Sequence, residues 1–309
     1  MVIKSVRELL SDYLESREEP VSAERINFGG VNGKDVYNIT APFDMDGESI
    51  IAGRVEDRDS EDSEIVFFRN ENGHWVPKED AVRSRLQDPF FTFIDGEFIT
   101  GGVQTYLKPD NHLGWRTVLY RGHSLSDLKL FFKGPDGMKD LRIVQLIDGR
   151  IGVFTRPQGD KGGRGKIGYT SVDNLEQLSI EVVNDAPLIP ERFAENEWGG
   201  CNEAHLLKDG TIGILGHIAS FDDPHDVSSD RHYYSMTFIM DPSTGSCTDV
   251  KLLAIRDDFL PCEAKIPSLH DVIFSGGLVR HDDGTATLYT GVGDADAQCL
   301  KVRDPFAGL

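Results

Sequence analysis

Residues 85–106 read Arg-Leu-Gln-Asp-Pro-Phe-Phe-Thr-Phe-Ile-Asp-Gly-Glu-Phe-Ile-Thr-Gly-Gly-Val-Gln-Thr-Tyr. Two β-rich runs flank Asp95-Gly96, and an Asp-Gly pair supplies the positive backbone angles that a tight hairpin turn requires. The stretch therefore predicts strand, turn and strand, with Asp88 at the open end. The same build recurs at Asp46-Gly47, Asp148-Gly149, Asp209-Gly210 and Asp283-Gly284. A further strand-like run follows each hairpin: Glu64 to Phe68, Thr117 to Tyr120, Lys166 to Thr170, Tyr234 to Met240 and Gln298 to Val302. Turn spacings of 49, 53, 61 and 74 residues fit units set around an axis better than a sandwich. The expected fold is all-β: a five-bladed β-propeller with a short N-terminal helix, in one domain over residues 1–309.

A hairpin returns both of its far ends to one rim. Seven or eight residues before the turn aspartates stand Asn38, Asp88, Asp140, Asn202 and Ser275; eight residues after them stand Arg54, Val103, Arg156, His217 and Gly291. Strand ends are often polar simply because they meet water. Five polar positions in register, with cations opposite several of them, predict a shared site at the axis.

The totals narrow the partners. Lys plus Arg is 32 and Asp plus Glu is 52, a net charge of −20 that repels nucleic acid and anionic membrane surfaces. A phosphorylated ligand would need cations concentrated locally, and the rim is where the sequence can concentrate them. Cys201, Cys247, Cys262 and Cys299 show no Cys-x-x-Cys spacing, so free thiols are expected and neither a metal nor a cofactor. The first ten residues lack the apolar centre of a signal peptide, and no later run approaches the roughly 18 apolar residues of a membrane span, which predicts a cytoplasmic protein.

Ser5 and Glu8 form a capping box ahead of Val6, Leu9, Leu10, Tyr13 and Leu14, so a helix is expected over about residues 5–17. Arg25 to Phe28 is expected to lend an outer strand to the last blade, closing the ring. The run Gly159 to Lys166 superficially resembles a phosphate loop. It fails the pattern, because Asp160 stands where Gly is needed and Ile167 where Ser or Thr is needed, and it predicts a plain loop. Asp222 to Arg231, near His225 and His232, matches no zinc spacing and reads as a lid or surface loop.

Several pieces together resemble a known family. Ala52-Gly53-Arg54-Val55-Glu56-Asp57-Arg58 is similar to the Ala-Arg-Val-Glu strand end of inverting β-mannoside phosphorylases (glycoside hydrolase family 130), and Asp88-Pro89 to their Glu-Asp-Pro-Arg motif. Lys139-Asp140 with Arg156-Pro157 resembles their third-blade pair. Leu215-Gly216-His217 with Tyr233-Tyr234 resembles their Tyr-His-Gly and downstream Tyr. Phe274 to Leu278 with Leu288 to Asp294 resembles their Phe-Pro-Thr-Gly and Tyr-Tyr-Gly-Ala-Ala-Asp. Gln87 and Phe90 depart from the pattern, and the wording Leu-Gln-Asp-Pro-Phe looks closer to the β-1,2-mannosyltransferase-phosphorylases (glycosyltransferase family 108).

That resemblance implies an enzyme making or phosphorolysing β-1,2-mannosyl linkages with inversion. Inverting cleavage needs a carboxylic acid to protonate the leaving oxygen, whereas phosphate, already a nucleophile, needs cations to position it and no second carboxylate. Asp88 is the expected catalytic acid, acting through a hydroxyl of the bound mannose. Phe90, Phe91 and Phe93 predict an apolar setting that favours its protonated form. Lys139, Arg156 and His217 are the expected phosphate ligands. Asn38, Arg54, Asp57, Asp140, Asn202, Glu203, Tyr234 and Asp294 are expected to hold the sugar. Expected partners are a mannooligosaccharide, phosphate or mannose 1-phosphate, and GDP-mannose as a further donor. Two alternatives stay open: a hydrolase, if Glu203 is a catalytic base, and a non-catalytic binding platform.

Overall fold

Strands dominate the computed structural model, which describes residues 3–17, 22–190 and 192–309. They form five consecutive antiparallel units. In the first, Asp35–Tyr37 and Phe43–Met45 both pair with Glu48–Glu56, followed by Glu64–Glu71 and His74–Pro77. The second runs Gln87–Ile94, Glu97–Leu107, Leu113–Gly122 and Lys129–Lys133. The third has three strands, Arg142–Gln145, Ile151–Thr155 and Gly168–Val172. The fourth contains Trp198–Leu206, Ile212–Phe221, Arg231–Met240 and Lys251–Ala254. The fifth contains Asp271–Arg280, Thr285–Val292 and Asp296–Arg303.

Ala23–Arg25 pairs with Gln298, Cys299 and Leu300 as the outer strand of the fifth unit, starting two residues and ending three residues earlier than the sequence predicts. The first long strands of successive units pack on one another, and the fifth unit returns against Asp35–Tyr37. The architecture is therefore all-β and propeller-like. Two parallel pairs, His232 with Asp271 and Tyr233 with Val272, join the fourth unit to the fifth.

The Asp-Gly turns are of two kinds. Asp46-Gly47 and Asp95-Gly96 have positive φ at both residues, as tight two-residue turns require. At Asp148, Asp209 and Asp283 only the glycine does, and each aspartate instead accepts the amide two residues on, at 3.1, 3.0 and 2.9 Å.

The opposite, rim ends share a second device. Asn38, Asp88 and Asp140 take up positive φ of 45, 52 and 59°, while Asn202 and Ser275 lie in bulges where the register shifts. Each departure from ladder geometry turns a polar side chain out of the strand's alternation and towards the axis. The chains pass closely there. A Cβ on Gly276 would come within 1.5 Å of the Ile39 carbonyl oxygen. Gly276→Ala is expected to destabilise the protein by about 1–3 kcal/mol, seen as a lower urea midpoint at unchanged slope.

The N-terminal helix spans Val6–Ser16 with the predicted capping box. Val6 and Leu9 are buried against the fourth unit's core, and the Tyr13 hydroxyl donates to Asp258 at 2.8 Å. No helix among the described residues is long and apolar enough to cross a membrane. The run Gly159–Gly162 forms one helical turn, and Lys161 there donates to the Ala186 carbonyl at 2.6 Å.

Candidate active site

Asp88 is buried, and one carboxylate oxygen accepts from Asn38 Nδ2 at 2.8 Å and Arg54 Nη1 at 3.2 Å. Among the described residues its other oxygen has no hydrogen-bond partner. The apolar setting read from Phe90, Phe91 and Phe93 is not what the carboxyl meets. Phe90 lies beneath the Arg142 guanidinium, 4.1 Å from ring centroid to Cζ, while Phe91 and Phe93 stack towards Phe98. Successive strand residues point to opposite faces, so the three rings do not gather on one side of the carboxyl.

Arg54 is the hub. It donates to Glu56 at 3.0 and 3.2 Å and to Glu61 at 3.2 Å, and lies over the Tyr37 ring at 4.9 Å. Glu56 is wholly buried and also accepts from Tyr37 and Lys265. Lys265 donates further to Glu61 and the Ser60 carbonyl, both at 2.6 Å. Burial would lower the Arg54 and Lys265 pKa values, but the surrounding carboxylates outweigh it and raise both. Asp294, at φ 52°, is raised by burial; Asp88 adds to the shift, while Arg54 and Lys139 oppose it. The charges of Asp88, Arg54 and Lys139 thus all act on Asp294.

The cationic half centres on Asp140, which is 2% exposed. Arg156 Nη1 is 3.4 Å and Arg142 Nη2 3.9 Å from its carboxylate. Burial alone would raise this carboxyl, but Arg156, Lys139, His217 and Arg142 hold it down to about 2. Arg156 is anchored by the Gly199 carbonyl at 2.8 Å. His217 lies 2.7 Å through Nδ1 from Asn202 Oδ1 and stacks on Tyr233, with ring centroids 5.7 Å apart. Burial, reinforced by Arg156, lowers it to about 3, so the imidazole is neutral near pH 7. Among the described residues, buried polar atoms without hydrogen bonds stand in this half, both Asp140 oxygens, Arg156 Nη1 and Asn202 Nδ2, and on the Asp88 side, Asn38 Oδ1. Such orphaned atoms are rare in a finished core and mark a place built for a polar ligand.

The structure thus brings together Asn38, Arg54, Asp88, Lys139, Asp140, Arg156, Asn202, His217 and Asp294. Three expected sugar ligands stand elsewhere. Asp57 is 68% exposed in its side chain and pairs with Lys34 at 3.4 Å, because the strand has already ended at Glu56. Tyr234 is buried in the fourth unit's core with its hydroxyl on Asp271 at 2.6 Å; its neighbour Tyr233, on the other face of the strand, is the one that meets His217. Glu203 accepts the Leu278 amide at 2.8 Å and faces His205 at 2.8 Å, tying the fourth unit to the fifth. Glu56 and Lys265 escaped the sequence reading. Glu56 lay inside a quoted motif, whereas Lys265 sits in a loop with no period to flag it. No group of three or more described His, Cys, Asp or Glu residues is placed to hold a metal.

A mannose phosphorylase from Leishmania mexicana (MPT-4), solved with phosphate ion, superposes with a TM-score of 0.89 at 33% identity, over 97% of this chain and 93% of its own. MPT-1, a GDP-Man-dependent mannosyltransferase from the same organism, gives 0.89 at 32% identity over 99% and 97%. The family model described as Protein of unknown function (DUF1861) matches residues 13–308. The chain belongs to this family. It is a carbohydrate-active enzyme, a glycoside phosphorylase or glycosyltransferase. A β-1,2-mannobiose phosphorylase from Listeria innocua shares the fold of this DUF1861 member, with a TM-score of 0.63 at 14% identity over 94% and 93%. No curated protein matches it.

Proposed function

We propose that the protein makes or phosphorolyses β-1,2-mannosyl linkages with inversion, using phosphate and mannose 1-phosphate, with GDP-mannose as a further donor. The observation that carries this reading is the oxygen of Asp88 that has no hydrogen-bond partner among the described residues, beside a second cluster whose buried polar atoms form ion pairs but lack hydrogen bonds. In the phosphorolytic direction Asp88 supplies the proton for the leaving glycosidic oxygen, relayed by a mannose hydroxyl. Asn38, Arg54 and Asp294 hold the sugar, and Asp140 and Asn202 orient the far side. Lys139 and Arg156 place phosphate on the opposite face of the anomeric carbon. His217, neutral when the site is empty, takes up a proton as the phosphate dianion arrives, because the new negative charge raises its pKa.

A hydrolase would need a second carboxylate free to activate water. The engagement of Glu203 by the Leu278 amide and His205 weighs against it in that role. We further read the five antiparallel units as the blades of one five-bladed propeller forming a single domain. We place the enzyme in the cytoplasm, consistent with four unpaired cysteines and sugar-phosphate substrates. The test is incubation of β-1,2-mannobiose with and without phosphate. Mannose 1-phosphate formed only with phosphate is the expected result; free mannose in its absence would overturn phosphorolysis in favour of hydrolysis.

A further inference from the structure

Lys265 stands in the stretch 259–266, free of helix and strand, between the fourth unit and the fifth. The stretch is fixed from outside. The Leu260 amide donates to Gln298 Oε1 at 2.8 Å, Gln298 Nε2 donates back to the Leu260 carbonyl at 3.1 Å, and Arg25 donates to the Pro261 carbonyl at 3.1 Å. Its far end lies on the turn that carries Asp294: the Lys265 amide donates to the Gly293 carbonyl at 2.8 Å, and a Cβ on Gly293 would come within 3.0 Å of Ala264. The side chain, 8% exposed, crosses instead to the first unit, where its ammonium donates to Glu56, Glu61 and the Ser60 carbonyl. An ammonium has three N–H donors, and these acceptors use all three.

The two shared carboxylates are divided in the same way. In each, Oε1 accepts from Lys265 and Oε2 from Arg54. Among the described residues no other cation lies within 4.0 Å of Glu56 or Glu61. Arg54 Nη1 is thereby left for Asp88. Without the ammonium, Glu56, Glu61 and Asp88 would compete for one guanidinium, and wholly buried Glu56 has the strongest claim on it, because an uncompensated charge is costliest there. Closing the ring of units has its own device in the pairing of Ala23–Arg25 with the fifth unit. A buried ion network adds little stability that apolar contact could not supply, so its place beside Asp88 calls for another reason.

We propose that Lys265 is a positioning residue for the sugar half of the site: it shares Glu56 and Glu61 with Arg54 so that Arg54 stays on Asp88, and its main chain holds the Asp294 turn beside them. The inference rests on the mannosyl reading, in which Arg54, Asp88 and Asp294 meet the sugar. Lys265 itself touches no reacting atom.

The experiment compares wild type, Lys265→Arg, Lys265→Gln and the double variant Lys265→Gln with Glu61→Gln in β-1,2-mannobiose phosphorolysis, with crystal structures of wild type and Lys265→Gln. Lys265→Gln keeps N–H donors but not the charge. It is expected to lower kcat/KM for mannobiose about ten- to hundredfold, the scale of a 1 Å misplacement, while the KM for phosphate changes less than about twofold. Lys265→Arg is expected to stay within about threefold of wild type. Adding Glu61→Gln leaves Arg54 only two carboxylates and is expected to recover about fivefold or more; a purely structural role predicts no recovery, since an exposed carboxylate contributes little to stability. Lys265→Gln within about twofold of wild type overturns the proposal, as does a loss that the second substitution leaves unchanged. So does a wild-type crystal structure with Nζ beyond about 4 Å from either carboxylate, a check that needs no variant to fold. A wild type inactive on mannosides, with Arg54 displaced from Asp88 in Lys265→Gln, would instead remove the mannosyl reading and leave the positioning role standing.

Discussion

Asp88→Asn is expected to lower kcat for phosphorolysis by about 10²–10⁴, the usual range for removing a general acid, with the fold intact. The substitution suits the position. Asp88 has a φ of 52°, a region that Asn tolerates as readily as Asp, so no backbone strain is added. The amide oxygen can still accept from Asn38 and Arg54, and Arg54 keeps Glu56 and Glu61. What disappears is a group able to exchange a proton with the sugar. The loss therefore belongs in kcat, with KM for phosphate moving little, since Lys139 and Arg156 belong to the other cluster. Initial rates with β-1,2-mannobiose and phosphate decide the matter. A drop under about fivefold, in protein whose circular dichroism matches wild type, would remove Asp88 from the chemistry.

The place of Asp88 at the rim is legible in the sequence because two regularities coincide at it. A hairpin fixes how far its open end lies from its turn, and the rim departs from ladder geometry at that distance in every unit. Asn38, Asp88 and Asp140 do so through positive φ, Asn202 and Ser275 through bulges. Asn and Asp tolerate such backbone better than most residues, which is why they mark the rim in the sequence. The same logic fails one residue further on. Asp57 lies past the strand end, and Tyr234 and Glu203 each sit one position from a rim neighbour, Tyr233 and Asn202, where alternation reverses the side-chain direction. Glu56 and Lys265 were beyond reach for another reason. Their pairing joins positions 209 residues apart, and no local spacing announces a long-range ion pair.

Asp140→Asn is expected to destabilise the unliganded protein by about 3–5 kcal/mol, the range for breaking a buried ion pair from one side. Among the described residues the Asp140 carboxylate has no hydrogen-bond partner; its contribution is charge, set against Arg156 at 3.4 Å, Arg142 at 3.9 Å and Lys139. Asn fits the φ of 59° and nearly the same volume, so the loss reports electrostatics and not packing. The sign with pH follows. Because the folded Asp140 pKa, about 2, lies below its ordinary value of 3.8, its contribution is complete above about pH 4 and is lost as pH falls through 2. His217, lowered from 6.5 to about 3, adds a separate penalty as pH falls from 6.5 to 3, since the unfolded chain takes up that proton first. The variant should keep the His217 limb and lose the Asp140 limb. Phosphate supplies the further distinction. With Asp140 neutral, the cations face an arriving dianion uncompensated, so phosphate should raise the melting temperature more in Asp140→Asn than in wild type. Thermal melts across a phosphate series at pH 7 measure both effects. Equal melting temperatures without phosphate, or equal phosphate-induced shifts, would mean that Asp140 does not neutralise these cations and that phosphate does not bind among them.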